Sequence, residues 1–379
     1  MISPDFFLQK LRDLGISFFF GVPDSLLKDF CLAVDRTEDI THVITANEGA
    51  AIAAATGSYI ATGQASLVYL QNSGLGNTVN PLMSLADRSV YGIPMVLLIG
   101  WRGEPEIDDE PQHIKQGRVT PTMLDSMEIP WRVLPTEESE SQTVLEAALK
   151  QANQENTPVA LLVRKQTFAC YSETTKPPLT VLPSREEALA ATIAAAPPQA
   201  FFVASTGLLG RELYELRDLT HEKGFDFLNV GAMGHAISIA LGFALAEPDR
   251  PVWCLDGDGS AIMHMGSLAV VGSHGPSNLS HVVYNNGVHD SVGGQQTSAS
   301  NFCLHDVAKA VGYKQSSRVE TVTELESHIR KSSEVAGPTF LEMLVRPGFR
   351  SDLGRPREKP TTALQELMQN LSASRTENI

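Results

Sequence analysis

The chain has 379 residues, 42% of them hydrophobic and 19% charged, with a formal net charge of -15. That length accommodates two or three domains, and the balance of apolar and charged residues excludes a disordered chain. The acid excess argues against nucleic acid or an anionic membrane as partner, since both require basic surface, and no run of about 18 apolar residues offers a membrane span.

The N-terminus shows no basic segment followed by an apolar run, so no signal peptide is expected. Cys31, Cys170, Cys254 and Cys303 lie far apart without metal-ligand spacing and read as reduced thiols of a cytoplasmic protein. In the first half, residues 17–20, 65–70, 95–99 and 159–163 are short apolar runs separated by helical or Gly-rich stretches, the pattern of a buried parallel sheet. Residues 49–60 are Ala-rich and predict a helix that starts just after Asn47-Glu48. A carboxylate at Glu48 suits a helix N-terminus on electrostatic grounds alone. The Gly-rich turn Gln71-Asn72-Ser73-Gly74-Leu75-Gly76-Asn77 is either structural or a place where a ring approaches the backbone. Residues 101–120 lack periodicity and carry Arg102, Asp108, Asp109, Glu110, Gln112, His113 and Lys115, so they read as a long loop, either functional or simply exposed. The first domain is placed at 1–170. Residues 171–184, rich in Pro and Thr, read as the linker.

The second domain, 185–379, resumes with a strand over 200–204 and the strand-to-helix turn Ser205-Thr206-Gly207. Gly231-Ala232-Met233-Gly234-His235 precedes an apolar helix over 234–247, and Met233 taken alone reads as core. The apolar run Val252-Trp253-Cys254-Leu255 then leads into Gly257-Asp258-Gly259-Ser260. After 24 further residues comes Asn285-Asn286-Gly287, itself preceded by the apolar run His281-Val282-Val283-Tyr284. Two parallel strands ending this way deliver a carboxylate, an amide oxygen and a backbone carbonyl to one sheet edge. Those are Mg²⁺ ligands, and the carboxyl edge is where open α/β sheets bind phosphate-bearing molecules. A last strand is expected over 339–345, and the polar tail from Arg350 ends in a helix-like stretch over 362–371. No Gly-x-Gly-x-x-Gly turn precedes an acid at the spacing of a dinucleotide site. The fold class is two doubly wound parallel-sheet α/β domains.

Together these parts resemble the thiamine-diphosphate-dependent decarboxylases over nearly the whole chain. The first half resembles their aminopyrimidine-binding domain and the second their diphosphate-binding domain. The central third domain of larger members has no room here, which is typical of the short branch acting on phosphonopyruvate or sulfopyruvate. Gly21-Val22-Pro23-Asp24-Ser25, Trp101-Arg102-Gly103-Glu104-Pro105, Asp109-Glu110-Pro111-Gln112-His113, His289-Asp290-Ser291-Val292-Gly293-Gly294-Gln295 and Asp352-Leu353-Gly354-Arg355-Pro356 are similar to the phosphonopyruvate branch.

The resemblance implies that Mg²⁺ is bound by the side chains of Asp258 and Asn286 and by the carbonyl of Val288, with Asn285 the lesser candidate. It implies that Gly257, Gly259 and Ser260 face the diphosphate together with Ser205, Thr206 and Gly207. Asn72 and Gly74 would line the cofactor's ring, and Met233 would hold the cofactor in its folded V shape. Glu48 would hydrogen-bond the aminopyrimidine and so promote formation of the ylid that attacks the 2-keto carbon. His113 would exchange protons or orient the substrate. Either Ser25, by register, or Asp24 beside it would act in the pocket. Arg102 and Arg355 are favoured for the substrate's phosphonate over Lys115, Arg118 and Arg350. The implied reaction takes 3-phosphonopyruvate to 2-phosphonoacetaldehyde and CO₂, a step toward phosphonates including antibiotics, in a homo-oligomer with sites between subunits. Sulfopyruvate decarboxylation is the alternative, and a non-catalytic subunit of the same fold is a remoter one.

Overall fold

A computed structural model of the chain describes residues 1–171, 181–220 and 224–377. The expected linker, 171–184, falls largely on residues 172–180, which lie outside the described residues. The chain divides into two units, Met1–Thr175 with Ser291–Gln295, and Lys176–Asp290 with Gln296–Ile379.

The first unit contains strands β1 (Phe18–Gly21), β2 (Thr41–Ile44), β3 (Ser66–Gln71), β4 (Met95–Gly100), β5 (Trp131–Val133) and β6 (Pro158–Val163). They form one parallel sheet in the order β2-β1-β3-β4-β6-β5. The second unit contains β7 (Phe201–Ala204), β8 (Phe225–Leu228), β9 (Val252–Gly257), β10 (Leu279–Asn285), β11 (Gln315–Val319) and β12 (Thr339–Leu344). Their parallel order is β11-β12-β10-β9-β7-β8. Read from the other edge, it is 8-7-9-10-12-11, the same path through the sheet as in the first unit. The two halves share one topology although no repeat is visible in the sequence.

Each sheet is covered on both faces, which is why its central strands are almost continuously apolar. Along β3, Leu67 and Tyr69 enter one cluster with Phe7, Phe19 and Phe30, while Val68 and Leu70 enter another with Ile52 and Leu124. Along β9, Val252 and Cys254 pack on one face and Trp253 and Leu255 on the other. Burying each such side chain removes apolar area from water, at about 2 kcal/mol for a leucine-sized group.

The structure adds four strands to those expected: β2, β5, β8 and β11. All four are sheet edges with partly exposed residues. It also shortens the long loop expected over 101–120, because Pro111–Ser126 is a helix. Pro111 occupies the first turn, where its missing N–H costs nothing. Gly103 lies at φ 69, and a Cβ on Gly117 would lie 1.7 Å from its carbonyl oxygen, so two glycines let the helix rest on the segment after β4. Trp101 Nε1 donates to the Gly117 carbonyl at 2.8 Å and fixes the contact. Among the described residues, no helix is long and apolar enough to cross a membrane.

Candidate active site

In the first unit the strand order reverses between β1 and β3, the place where open α/β sheets bind ligands beyond their carboxyl ends. The segments after β1, β2, β3 and β4 all reach that edge. Asn47 caps the helix Glu48–Thr62, its side chain accepting from the Ala50 amide at 3.0 Å. Glu48 is thereby set in the first turn, buried at 5% exposure. Its Oε2 accepts from Asn77 Nδ2 at 2.7 Å, and its Oε1 lies 2.1 Å from where a Cβ on Gly74 would stand. Gly74 is therefore required by close approach of the carboxylate. Asn77, three residues further on, is a partner that the sequence reading passed over although it ended the quoted turn.

Asn72 is buried, and its amide is engaged within the unit. It donates to the Arg102 carbonyl at 2.8 Å and to Thr120 Oγ1 at 3.0 Å, and accepts from the Arg102 amide at 3.1 Å. These bonds clamp the end of β3 to the segment after β4. Asp24 accepts from the Leu26 amide at 2.9 Å, while its other oxygen is buried without a partner. Burial pushes its carboxyl up to about 6, against the pull of the Leu26 amide and the Arg102 charge. Ser25 Oγ accepts from Arg102 Nη1 at 2.8 Å.

Arg102 also grips Asp109 with two donors, Nε at 2.8 Å and Nη2. The Arg102 guanidinium is thus already balanced by a carboxylate. Asp109 further holds His113, whose Nδ1 lies 3.0 Å from Oδ1. Burial alone would raise the Asp109 carboxyl, but the bonds from Arg102, His113 and Gly103 hold it well below the usual carboxylate range. For His113, burial lowers the imidazole and Arg102 adds to that, with Asp109 opposing. Asp109 was not among the expected site residues. Its place four residues before His113 is the signal that could have found it.

In the second unit the order reverses between β7 and β9. Ser205-Thr206-Gly207 follows β7 and leads into the helix Leu208–Thr220. Gly207 lies at φ 96 with nothing within 4 Å of where its Cβ would be. Gly257, in extended conformation, likewise has nothing within 4 Å of where its Cβ would be, so both turns leave room beside the backbone. Gly257 pairs with Tyr284 across β9 and β10, which sets Asp258 and Asn285 side by side at the next step. The 24-residue spacing is the length of chain needed to cross from one parallel strand to its neighbour through the helices Asp258–Met263 and Gly266–His274.

Asp258 is 3% exposed, and its carboxylate accepts from Thr297 Oγ1. Burial pushes it up to about 6, with Thr297 and nearby backbone amides opposing. Asn286 donates from Nδ2 to Asp290 at 2.7 Å, and its oxygen accepts from the Val288 amide at 3.1 Å. Asn285 is turned into the sheet, donating to Glu342 at 2.7 Å. Val288 forms an isolated bridge with Gln296, and the Thr297 amide donates to the Gly287 carbonyl at 2.8 Å. That return of the chain brings Thr297 to Asp258. Asp290, which with His289 was expected to face the pocket after the metal segment, holds Asn286, whereas Thr297 is a site neighbour the sequence did not point to, because only folding of this segment brings it near.

Ser260 is buried, its hydroxyl accepting from the Gly234 amide at 3.1 Å and keeping its O–H to donate. Through that bond the loop carrying Met233, which is half-buried, is tied to the Asp258 turn. A Cβ on Gly259 would come 2.8 Å from the His289 ring, so the glycine admits that ring. Thr206 Oγ1 donates to the Val230 carbonyl at 3.0 Å. Arg355 is exposed in this unit, and Arg102 belongs to the first.

The buried Asp258 carboxylate, with an adjacent carboxamide, a neighbouring backbone turn and two open glycine turns, fits a divalent cation and a diphosphate. A cation would supply the counter-charge that burial withholds. Residues 4–129 match the model of the thiamine pyrophosphate enzyme N-terminal TPP binding domain, and residues 212–343 that of the C-terminal TPP binding domain. The chain is 36% identical over 375 residues to a phosphonopyruvate decarboxylase of Streptomyces hygroscopicus, covering 95% of this chain and 92% of that one. It is 25% identical over 364 residues to a sulfopyruvate decarboxylase of Methanosarcina acetivorans, covering 90% of each. A sulfopyruvate decarboxylase subunit beta of Methanothermobacter thermautotrophicus matches at 34% over 146 residues, 38% of this chain and 74% of that one.

Proposed function

This chain belongs to the thiamine-pyrophosphate-dependent decarboxylases, and from that premise we propose that it converts 3-phosphonopyruvate to 2-phosphonoacetaldehyde and CO₂, in phosphonate biosynthesis. The observation that carries the substrate is the 36% identity to a phosphonopyruvate decarboxylase across 95% of the chain, against 25% to a sulfopyruvate decarboxylase.

When bound, thiamine diphosphate supplies the electron sink for the pair left behind by CO₂, and Mg²⁺ the charge that holds its diphosphate. Asp258, Asn286 and the Val288 carbonyl hold the metal. Asp290 supports this role by holding the Asn286 NH₂ at 2.7 Å and so fixing the amide's orientation. Ser205, Thr206, Gly207, Gly257, Gly259 and Ser260 would hold the diphosphate, and Met233 would support the cofactor from the loop tied to Ser260. Glu48 accepts a proton-bearing nitrogen of the pyrimidine. Its Oε2 is held by Asn77, and burial keeps water from weakening the bond. His113 and the Asp24–Ser25 pair face the substrate. Arg355 and Arg102 receive its phosphonate, Arg102 only alongside the Asp109 that already balances it.

The family resemblance supports a homo-oligomer, which sedimentation would measure. The free thiols of Cys31, Cys170, Cys254 and Cys303 suit a cytoplasmic enzyme. The test is aldehyde formation from phosphonopyruvate, sulfopyruvate and pyruvate, with and without thiamine diphosphate and Mg²⁺. Cofactor-dependent turnover that favours phosphonopyruvate supports the reading. A preference for sulfopyruvate keeps the chemistry and overturns the substrate.

A further inference from the structure

We propose that Asp109 is a positioning residue that fixes His113 as its Nδ1–H tautomer and presents Nε2 as the nitrogen that exchanges a proton with substrate. The inference deepens the decarboxylase reading and rests on it for the identity of the substrate.

The Asp109 carboxylate is crowded with donors. Oδ2 takes Arg102 Nε and the Gly103 amide, each at 2.8 Å. Oδ1 takes Arg102 Nη2, the Glu110 amide at 2.8 Å and His113 Nδ1 at 3.0 Å. An ionised carboxylate offers only lone pairs. Facing such a group, the imidazole nitrogen must carry the hydrogen, and that assigns the bare lone pair to Nε2. His113 is buried in the first turn of the helix Pro111–Ser126, so its ring has little freedom to turn over.

The same carboxylate separates His113 from the charge of Arg102. The charged groups bearing on His113 in its unit are Arg102 and Asp109, and Asp24 acts on Arg102 in turn. Burial and Arg102 both favour the neutral ring, and Asp109 keeps its protonation within reach. With asparagine in place of Asp109, the amide NH₂ can donate to Nδ1. That would move the ring hydrogen to Nε2, while Arg102 would lose its counter-charge.

The test uses the full chain with thiamine diphosphate and Mg²⁺, with phosphonopyruvate as substrate. Steady-state rates are compared for the wild type, Asp109→Asn, His113→Ala and the double variant, and the His113 tautomer is read from ¹⁵N shifts of labelled histidine. We expect Asp109→Asn to lower kcat on the order of 10–100-fold, while freeing Arg102 of its counter-charge should lower KM rather than raise it. The double variant should fall within about threefold of His113→Ala, since the two residues act as one unit. The wild-type spectrum should show the Nδ1–H form, and Asp109→Asn should shift it toward Nε2–H. A wild-type Nε2–H tautomer overturns the proposal, even if the variant does not fold. So do independent, multiplying effects of the two substitutions. If the wild type turns over sulfopyruvate instead, the substrate reading falls, and the tautomer still decides the role of Asp109.

Discussion

At the scale of single residues, the glycines of the first unit make a sharp prediction about Glu48. A methyl group at Gly74 would lie 2.1 Å from Glu48 Oε1, whereas one at Gly76 meets nothing within 4 Å. Gly74→Ala should therefore displace the carboxylate and lower turnover at least about 100-fold while the chain still melts cooperatively. Gly76→Ala should leave turnover unchanged and add roughly 0.5–1 kcal/mol to the helix. Equal effects of the two would mean that the Glu48 position does not matter. Asp24 yields a second prediction. Burial lifts its folded carboxyl to about 6, above the ordinary range. Between about pH 4 and 6 the folded chain holds this proton more tightly than the unfolded one, so stability falls as pH rises through that window. Above it the deficit is complete, roughly 3 kcal/mol at most for a shift of this size. Asp24→Asn should thus be more stable than wild type at pH 7.5, with the gap closing near pH 4. Denaturant titrations across that range check the sign. A variant less stable at pH 7.5 would show that the carboxylate is compensated.

At the scale of elements, the strands visible in the sequence are those covered on both faces. β3, β4, β6, β9 and β10 are buried along nearly their whole length, and their apolar runs are plain. The edge strands β2, β5, β8 and β11 carry residues such as Thr41, Arg132, Asp226 and Ser317, because one side of each lies open. Their apolar signal is too sparse to separate from a loop. The helix Pro111–Ser126 was hidden in the same way, by a polar sequence with Gly117 and Pro121 inside it. The site followed a related divide. Residues fixed by local turns, such as Glu48 and Asp258, could be found from neighbouring motifs. Asn77 and Thr297 act through contacts made by the folded chain. Gly117 tests how this helix is held. Its substitution by alanine would drive a Cβ into the Gly103 carbonyl at 1.7 Å, where both partners are backbone. A loss of about 1–3 kcal/mol is expected, with a matching fall in melting temperature. An unchanged melting temperature would show that the helix can shift without cost.

At the scale of the whole molecule, one strand path serves both halves, and the order reverses at the corresponding pair of strands in each, β1/β3 and β7/β9. Each reversal gathers its own set of chemical groups, the carboxylate of Glu48 in one and that of Asp258 in the other. Each sheet also has a core on both faces: Phe7, Leu67 and Leu161 oppose Val68, Leu97 and Leu162 in the first unit, and Val203, Cys254 and Val283 oppose Trp253, Leu255 and Val282 in the second. A unit with its own sheet and two-sided core meets the requirements for folding alone. Fragments 1–171 and 181–379, each with a whole sheet although Ser291–Gln295 of the first unit stays with the second fragment, should therefore each give helical circular dichroism and a cooperative thermal transition when expressed apart. Neither alone should decarboxylate a 2-keto acid, since the first lacks Asp258 and the second lacks Glu48. A fragment that stays unfolded alone but melts cooperatively when the other is added would show that its core is completed by its companion, and that the two halves are one folding unit.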